Sequence, residues 1–66
     1  MIIVRRHPER SYLRRVVRLG ATTRLLLWTS DRSAAVDLDA NEAADLLAWL
    51  RWSRLARDGE YEETNA

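Results

Sequence analysis

The chain has 66 residues, a length that corresponds to one small domain, and it contains no cysteine. Disulfides and cysteine-based zinc sites are therefore excluded. Its net charge is +1, but the two halves differ in charge. Residues 1–33 have eight arginines and two acidic residues, a net charge of +6, whereas residues 34–66 have three arginines and eight acidic residues, a net charge of −5. Because the arginine fork binds phosphate and carboxylate, the first half predicts a basic binding surface, with solvated arginines as the alternative.

No segment predicts export or membrane insertion. The apolar run at residues 1–4 is too short for a signal-peptide core, and its arginines follow the run instead of preceding it. The longest later apolar run, residues 25–28, is far below the ~20 residues that a membrane helix needs. We therefore expect a cytoplasmic protein that does not contact a membrane.

The first half of the chain predicts three strands. Residues 1–6 are rich in β-branched side chains, and Pro8, which donates no backbone hydrogen bond, ends this strand. Residues 12–19 fit either a helix or a strand, and their valines and tyrosine favour the strand. Residues 23–29 are apolar on both faces, which is typical of a central strand.

The second half predicts a short strand and then a helix. Residues 34–38 alternate between apolar and polar, as in a half-buried strand or an extended lead-in to a helix. Asp39, with Glu42 three residues later, forms a variant of the capping box, and strong helix formers follow over residues 40–57. Gly59 is suited to end this helix.

These elements predict an α+β fold, in which a three- to four-stranded antiparallel sheet packs against one C-terminal α-helix. Residues 1–59 form the single domain, and the acidic, polar residues 60–66 are expected to be a flexible tail.

The predicted helix is apolar on two faces, although a small sheet covers only one. At about 100° per residue, Ala43, Leu46, Leu47 and Leu50 share the face that packs on the sheet. Trp52 points away from them, and tryptophan is common at interface hot spots. The alternative is that the ends of the chain cover Trp52. The predicted partner-binding or dimer surface comprises Ala48, Trp49, Trp52, Leu55 and Ala56.

A second surface is predicted on the sheet. If Leu25 and Leu27 face the helix, Trp28 lies on the opposite face, in a row with arginines. Arginines interleaved with an aromatic residue on an open sheet are typical of a platform for single-stranded nucleic acid. The alternative is that dimerisation or the chain ends cover this face. The predicted basic face comprises Arg14, Arg18, Arg24 and Trp28.

The sequence offers no set of residues for catalysis. His7 precedes a proline in a turn, and its polar neighbours Glu9 and Ser11 do not supply a nucleophile, a base and an orienting group. The acids between Asp37 and Asp45 do not have the spacing of a calcium loop. We therefore predict a non-enzymatic protein with no catalytic residue, metal site or cofactor.

The stretch from Tyr12 to Leu50 resembles small phage or prophage accessory proteins, a class that includes anti-CRISPR inhibitors. The resemblance is carried by residues 27–31 (Leu-Trp-Thr-Ser-Asp), Ala34 or Ala35, residues 36–38 (Val-Asp-Leu) and residues 42–44 (Glu-Ala-Ala). It implies a phage-encoded binder that inhibits host machinery by covering a functional surface, and it assigns no ligand-binding residue.

The leading hypothesis is a protein-binding protein, a homodimer that engages a host or phage protein complex. The second is a nucleic-acid-binding module that uses the predicted basic face. The third is the antitoxin or scaffold half of a two-protein operon, in which the helix docks on its cognate partner.

Replacing Trp52 by glutamate tests the helix-face hypothesis. The substitution places a charge at the centre of the predicted contact, so we expect a folded protein that no longer associates. Solution mass and partner binding measure the effect, and the hypothesis fails if Trp52→Glu changes neither.

Overall fold

The computed structural model describes residues 1–7, 9–53 and 60–65. Its elements in chain order are β1 (Ile2–Arg5), β2 (Ser11–Arg18), β3 (Arg24–Thr29), a 3₁₀ turn (Arg32–Ala34), α1 (Ala40–Trp52) and β4 (Tyr61–Thr64). The strands form an antiparallel sheet in the order β3-β2-β1-β4. The predicted α+β fold is confirmed, but the helix lies before the last strand and is not C-terminal.

The first three strands are confirmed close to their predicted bounds. The segment at residues 12–19, which fitted a helix or a strand, is strand β2. β2 and β3 form a hairpin in which Val17 pairs with Leu25 and Val16 with Leu26. The register shifts between Leu13 and Arg15, so β2 carries a bulge at Arg14.

Residues 34–38 do not form the predicted short strand, and the alternative, an extended lead-in to the helix, is what the structure has. After the 3₁₀ turn, residues 35–38 run as an extended linker, in which the Val36 amide donates to the Leu13 carbonyl at 2.9 Å. The Leu38 amide donates to the Met1 carbonyl at 2.7 Å. Val36 and Leu38 are half-buried and Asp37 is exposed, so the apolar–polar alternation is real. The linker follows no single neighbouring strand, and the alternation therefore does not produce a ladder.

The flexible tail predicted at residues 60–66 is wrong for Tyr61–Thr64, which form β4. β4 pairs with all of β1, from Ile2 opposite Thr64 to Arg5 opposite Tyr61. The Tyr61 ring stacks on Trp28 with centroids 5.6 Å apart, and burial raises the pKa of the Tyr61 hydroxyl. Of the acidic residues of β4, Glu62 forms an ion pair with Arg6, which directly follows β1.

The helix packs on the sheet through the predicted face. Ala43, Leu46 and Leu50 are buried against Ile3 and Leu13 of the sheet, and Leu47 is half-buried.

The predicted cap is also confirmed. The Glu42 amide donates to the Asp39 carboxylate at 2.8 Å, and this hydrogen bond lowers the pKa of Asp39. The predicted continuation of the helix over residues 54–57 and its stop at Gly59 lie outside the described residues.

Deleting residues 60–66 tests the reassignment of the tail. Loss of β4 removes the Tyr61 packing on Trp28 and the pairing with β1, so we expect the free energy of unfolding to fall by about 2–4 kcal/mol. Urea denaturation followed by circular dichroism measures this change. Deleting only residues 65–66 is the matched control and leaves β4 intact. An unchanged urea midpoint in the longer deletion would contradict the assignment.

Candidate interaction surfaces

The helix side of the sheet is defined by the residues that pack on α1. Leu13, Val16, Leu26 and Trp28 all contact the core cluster that includes helix residues. Because side chains alternate along a strand, Leu25 and Leu27 lie on the opposite face. The condition for the predicted basic face, that Leu25 and Leu27 face the helix, is therefore not met, and Trp28 lies on the helix side.

Trp28 is enclosed by neighbouring side chains instead of lying on an open platform. The Arg5 guanidinium lies over its ring at 4.7 Å from the centroid, and the Arg5 Nε donates to the Ser11 Oγ at 3.2 Å. Tyr61 packs beside the same ring. These contacts occupy the ring surface that a stacked base would need.

The predicted basic face is divided between different surroundings. Arg24 lies on the helix side, where its guanidinium forms an ion pair with Asp45 at 3.3 Å. Arg18 pairs with Arg24 across the hairpin and so shares that side. Arg14 is exposed at the bulge of β2. The four residues of the predicted basic face therefore do not form one open surface, because Trp28 is separate from the three arginines, which line a groove beside α1.

Arg18 also lies within electrostatic range of the helix. The pKa of Glu42 is raised, mainly by its hydrogen bond with the Asp39 side chain, and the charge of Arg18 acts in the opposite direction. Two of the predicted phosphate-binding arginines thus face carboxylates of α1.

The predicted helix surface separates into one packed and one exposed tryptophan. Trp49 is half-buried; its Nε1 donates to the Thr22 carbonyl at 3.0 Å, and the Arg24 guanidinium lies 5.3 Å from its ring centroid. Trp49 therefore joins the helix to the β2–β3 turn. Trp52 is 69% exposed and Ala48 is exposed, as the sequence predicted. Leu55 and Ala56 lie outside the described residues.

A further apolar surface, which the sequence reasoning missed, lies on the hairpin. The side chains of Leu19, Leu25 and Leu27 are 62%, 47% and 39% exposed. Leu25 and Leu27 share the face away from the helix, and the Leu19 amide extends the ladder by donating to the Thr23 carbonyl at 2.9 Å. We call these three leucines the hairpin face. The sequence signal for the hairpin face was the apolar run at residues 25–28. These residues place apolar side chains on both faces of β3, so one face stays uncovered whichever face packs on the helix.

The hairpin face adjoins a strand edge that pairs with no other strand among the described residues. β3 is the outermost strand on this side of the sheet, and its six residues, Arg-Leu-Leu-Leu-Trp-Thr, contain no proline or lysine. Proteins commonly block exposed edges with proline, lysine or a bulge, because unpaired backbone groups invite another strand. The bulge of this hairpin lies on β2 and leaves β3 unblocked.

A groove of about 410 Å³ lies on the helix side, between β2, the linker and α1. We call it the edge groove. Its apolar lining is formed by Val16, Val36, Leu38 and Leu46. Its charged lining is formed by Arg14, Arg15, Arg18, Arg24, Glu42 and Asp45.

The described residues contain no group of three or more histidine, aspartate or glutamate side chains placed to hold a metal ion. His7 and Glu9 are both exposed in the connection between β1 and β2. In the part of the chain that the structure describes, no helix is long and apolar enough to span a membrane.

No family model matches this chain, and neither a curated protein nor a solved structure was found to be similar to it. The resemblance to phage accessory proteins therefore remains a prediction from the sequence.

Alanine substitutions distinguish the two helix tryptophans. Trp49→Ala removes packing on the turn and the hydrogen bond to Thr22, so we expect the free energy of unfolding to fall by about 1–3 kcal/mol. Trp52→Ala changes an exposed side chain and should stay within about 0.5 kcal/mol of the parent. Urea denaturation followed by far-ultraviolet circular dichroism provides both values. An equal loss of unfolding free energy in the two variants would contradict the conclusion that Trp49 is packed and Trp52 is exposed.

Proposed function

We propose that this chain is a non-enzymatic protein-binding protein whose main contact surface is the hairpin face. The observation that carries the proposal is the exposure of Leu19, Leu25 and Leu27 on one side of one hairpin. Clustered apolar side chains in water are typical of interaction sites, whereas scattered ones are normal on any surface.

The edge of β3 adds a second component to this surface. A partner strand beside β3 would bond its unpaired backbone groups while its side chains cover Leu25 and Leu27. Leu25 and Leu27 are 47% and 39% exposed, so covering them supplies roughly 1 kcal/mol each before the cost of association. A surface of this kind suits a second copy of the chain or a strand of another protein, and we propose the homodimer as the first state to test.

Trp52 is the exposed tryptophan of the helix, and we propose it as a second contact. A protein with two separate apolar contacts is able to dimerise through one and bind a partner through the other. An inhibitor that acts by covering a functional surface needs no more than this, so the phage-inhibitor hypothesis is compatible with the proposal. We propose a cytoplasmic location on the sequence grounds given above.

Charge substitutions test which surface mediates association. Leu25→Glu places a carboxylate in the hairpin face and should convert the associated form to a folded monomer. Ala44→Glu, at an exposed helix position outside both surfaces, is the matched control and should associate normally. Sedimentation velocity gives the mass, and circular dichroism confirms the fold. A parent protein that is monomeric over the micromolar range would contradict the homodimer.

Capture from a lysate of the native host tests binding to another protein. We expect a defined set of proteins to remain bound to the parent and to Ala44→Glu after nuclease treatment, and to be lost from Leu25→Glu. Binding that disappears on nuclease treatment, and weakens steeply with salt, would instead support the nucleic-acid alternative. Equal capture by the parent and Leu25→Glu would contradict the hairpin face as the contact surface.

A further inference from the structure

The two long edges of β2 differ in how they are paired. On one side β2 pairs with β3 from Tyr12 to Arg18. On the other side it pairs with β1 at Ser11 and Tyr12, because the first two residues of β1 pair with β4 and not with β2. Beyond them, the Leu13 carbonyl accepts from the Val36 amide. Among the described residues, none bonds to the backbone at positions 14–18 on this second side.

The direction of the backbone groups follows from the hairpin register. The Leu19 amide donates to Thr23, and Val17 lies opposite Leu25, two residues further along each strand. In an antiparallel pair, alternate residues exchange hydrogen bonds with the partner, and the residues between them point their backbone groups away. The amides and carbonyls of Val16 and Arg18 therefore point towards the edge groove.

The lining of the edge groove agrees with this direction. Three consecutive residues of β2, Arg14, Arg15 and Val16, border the groove. Arg15 and Val16 follow the bulge and point to opposite faces of the sheet, yet both border the groove, so the strand edge itself forms one wall. The opposite wall is the linker with Val36 and Leu38.

We infer that the edge groove binds an extended, acidic peptide segment of a partner protein, which adds to β2 as a strand in line with β1. Five residues of strand edge span roughly 13 Å at about 3.3 Å per residue, which accommodates about four peptide residues. Peptides commonly bind in this way, with backbone hydrogen bonds giving affinity and alternate side chains giving specificity.

The charges and apolar side chains of the groove select the peptide. Alternate residues of an added strand would face the helix side, where Val36, Leu38 and Leu46 offer an apolar surface. The remaining residues would face the other side of the sheet, where the pairing of Arg15 with Leu27 places Arg15. Four arginines against two carboxylates give the groove a positive balance, so acidic side chains are favoured over basic ones.

This inference rests on the proposal that the chain binds protein, but it concerns a surface other than the hairpin face. Leu25→Glu tests the hairpin face, whereas the experiment below uses a synthetic peptide and substitutions at arginines. Failure of one proposal is thus distinguishable from failure of the other.

The test is fluorescence polarisation with a labelled hexapeptide of alternating glutamate and valine, capped at both ends. A second peptide replaces glutamate by lysine, and a third carries N-methyl groups on alternate backbone amides. We expect the acidic peptide to bind at least about tenfold more tightly than the lysine peptide, because like charges in a groove are disfavoured. The methylated peptide keeps its side chains but loses backbone donors, so it should also bind at least about tenfold more weakly.

The substitution Arg15→Glu reverses the charge of an exposed residue that lines the groove. It leaves three arginines against three carboxylates in the groove and should therefore abolish the preference for the acidic peptide, while Arg51→Glu, a substitution at an exposed arginine of α1 outside the groove, should leave the preference unchanged. Equal binding of the methylated and unmethylated peptides would overturn strand addition. An unchanged preference in Arg15→Glu, or no binding of the acidic peptide by the parent, would overturn the assignment of the groove.

Discussion

The separation of β1 from β2 determines where the other parts of this fold lie. β1 pairs with β2 over its last two residues, whereas its first two residues pair with β4 alone. The linker meets the sheet where the two strands separate, with Val36 bonded to Leu13 and Leu38 bonded to Met1. The linker thereby leads the chain onto the helix side, where Asp39 caps α1. The edge groove lies beside the part of β2 that β1 leaves unpaired, and it is therefore a direct result of this separation.

The uneven charge of the sequence is partly neutralised within the fold. Arg6 of the first half forms an ion pair with Glu62 of β4, and its hydrogen bond lowers the pKa of that carboxylate. Arg24 forms a second pair with Asp45 of the helix. Such exposed pairs contribute little to stability individually, but they reduce the basic surface offered to nucleic acid. This pairing is one reason why we propose a protein and not a nucleic acid as the partner.

The sequence predicted the elements with strong local signals and failed where tertiary contacts decide. The helix cap at Asp39 and the packed face of α1 follow from local spacing, and the structure confirms them. The four consecutive apolar residues at 25–28 contain no alternation, so either face of β3 suited the helix, and the choice of face inverted the predicted surface. β4 was missed because an acidic segment has low strand propensity until neighbours such as Trp28 and Arg6 stabilise it. The candidate surfaces depend on these long-range contacts and were therefore only partly predictable; the exposure of Trp52 was predicted, and its role in binding stays a prediction.

The free edge of β2 is tested most directly by amide hydrogen exchange of the unliganded protein, read residue by residue by NMR. The Val17 amide bonds to β3, whereas the Val16 amide next to it faces the edge groove. The account predicts that Val16 exchanges at least about tenfold faster than Val17, since an unbonded amide open to solvent lacks protection. Equal protection of the two amides would show that another backbone group already occupies this edge, and would contradict the account.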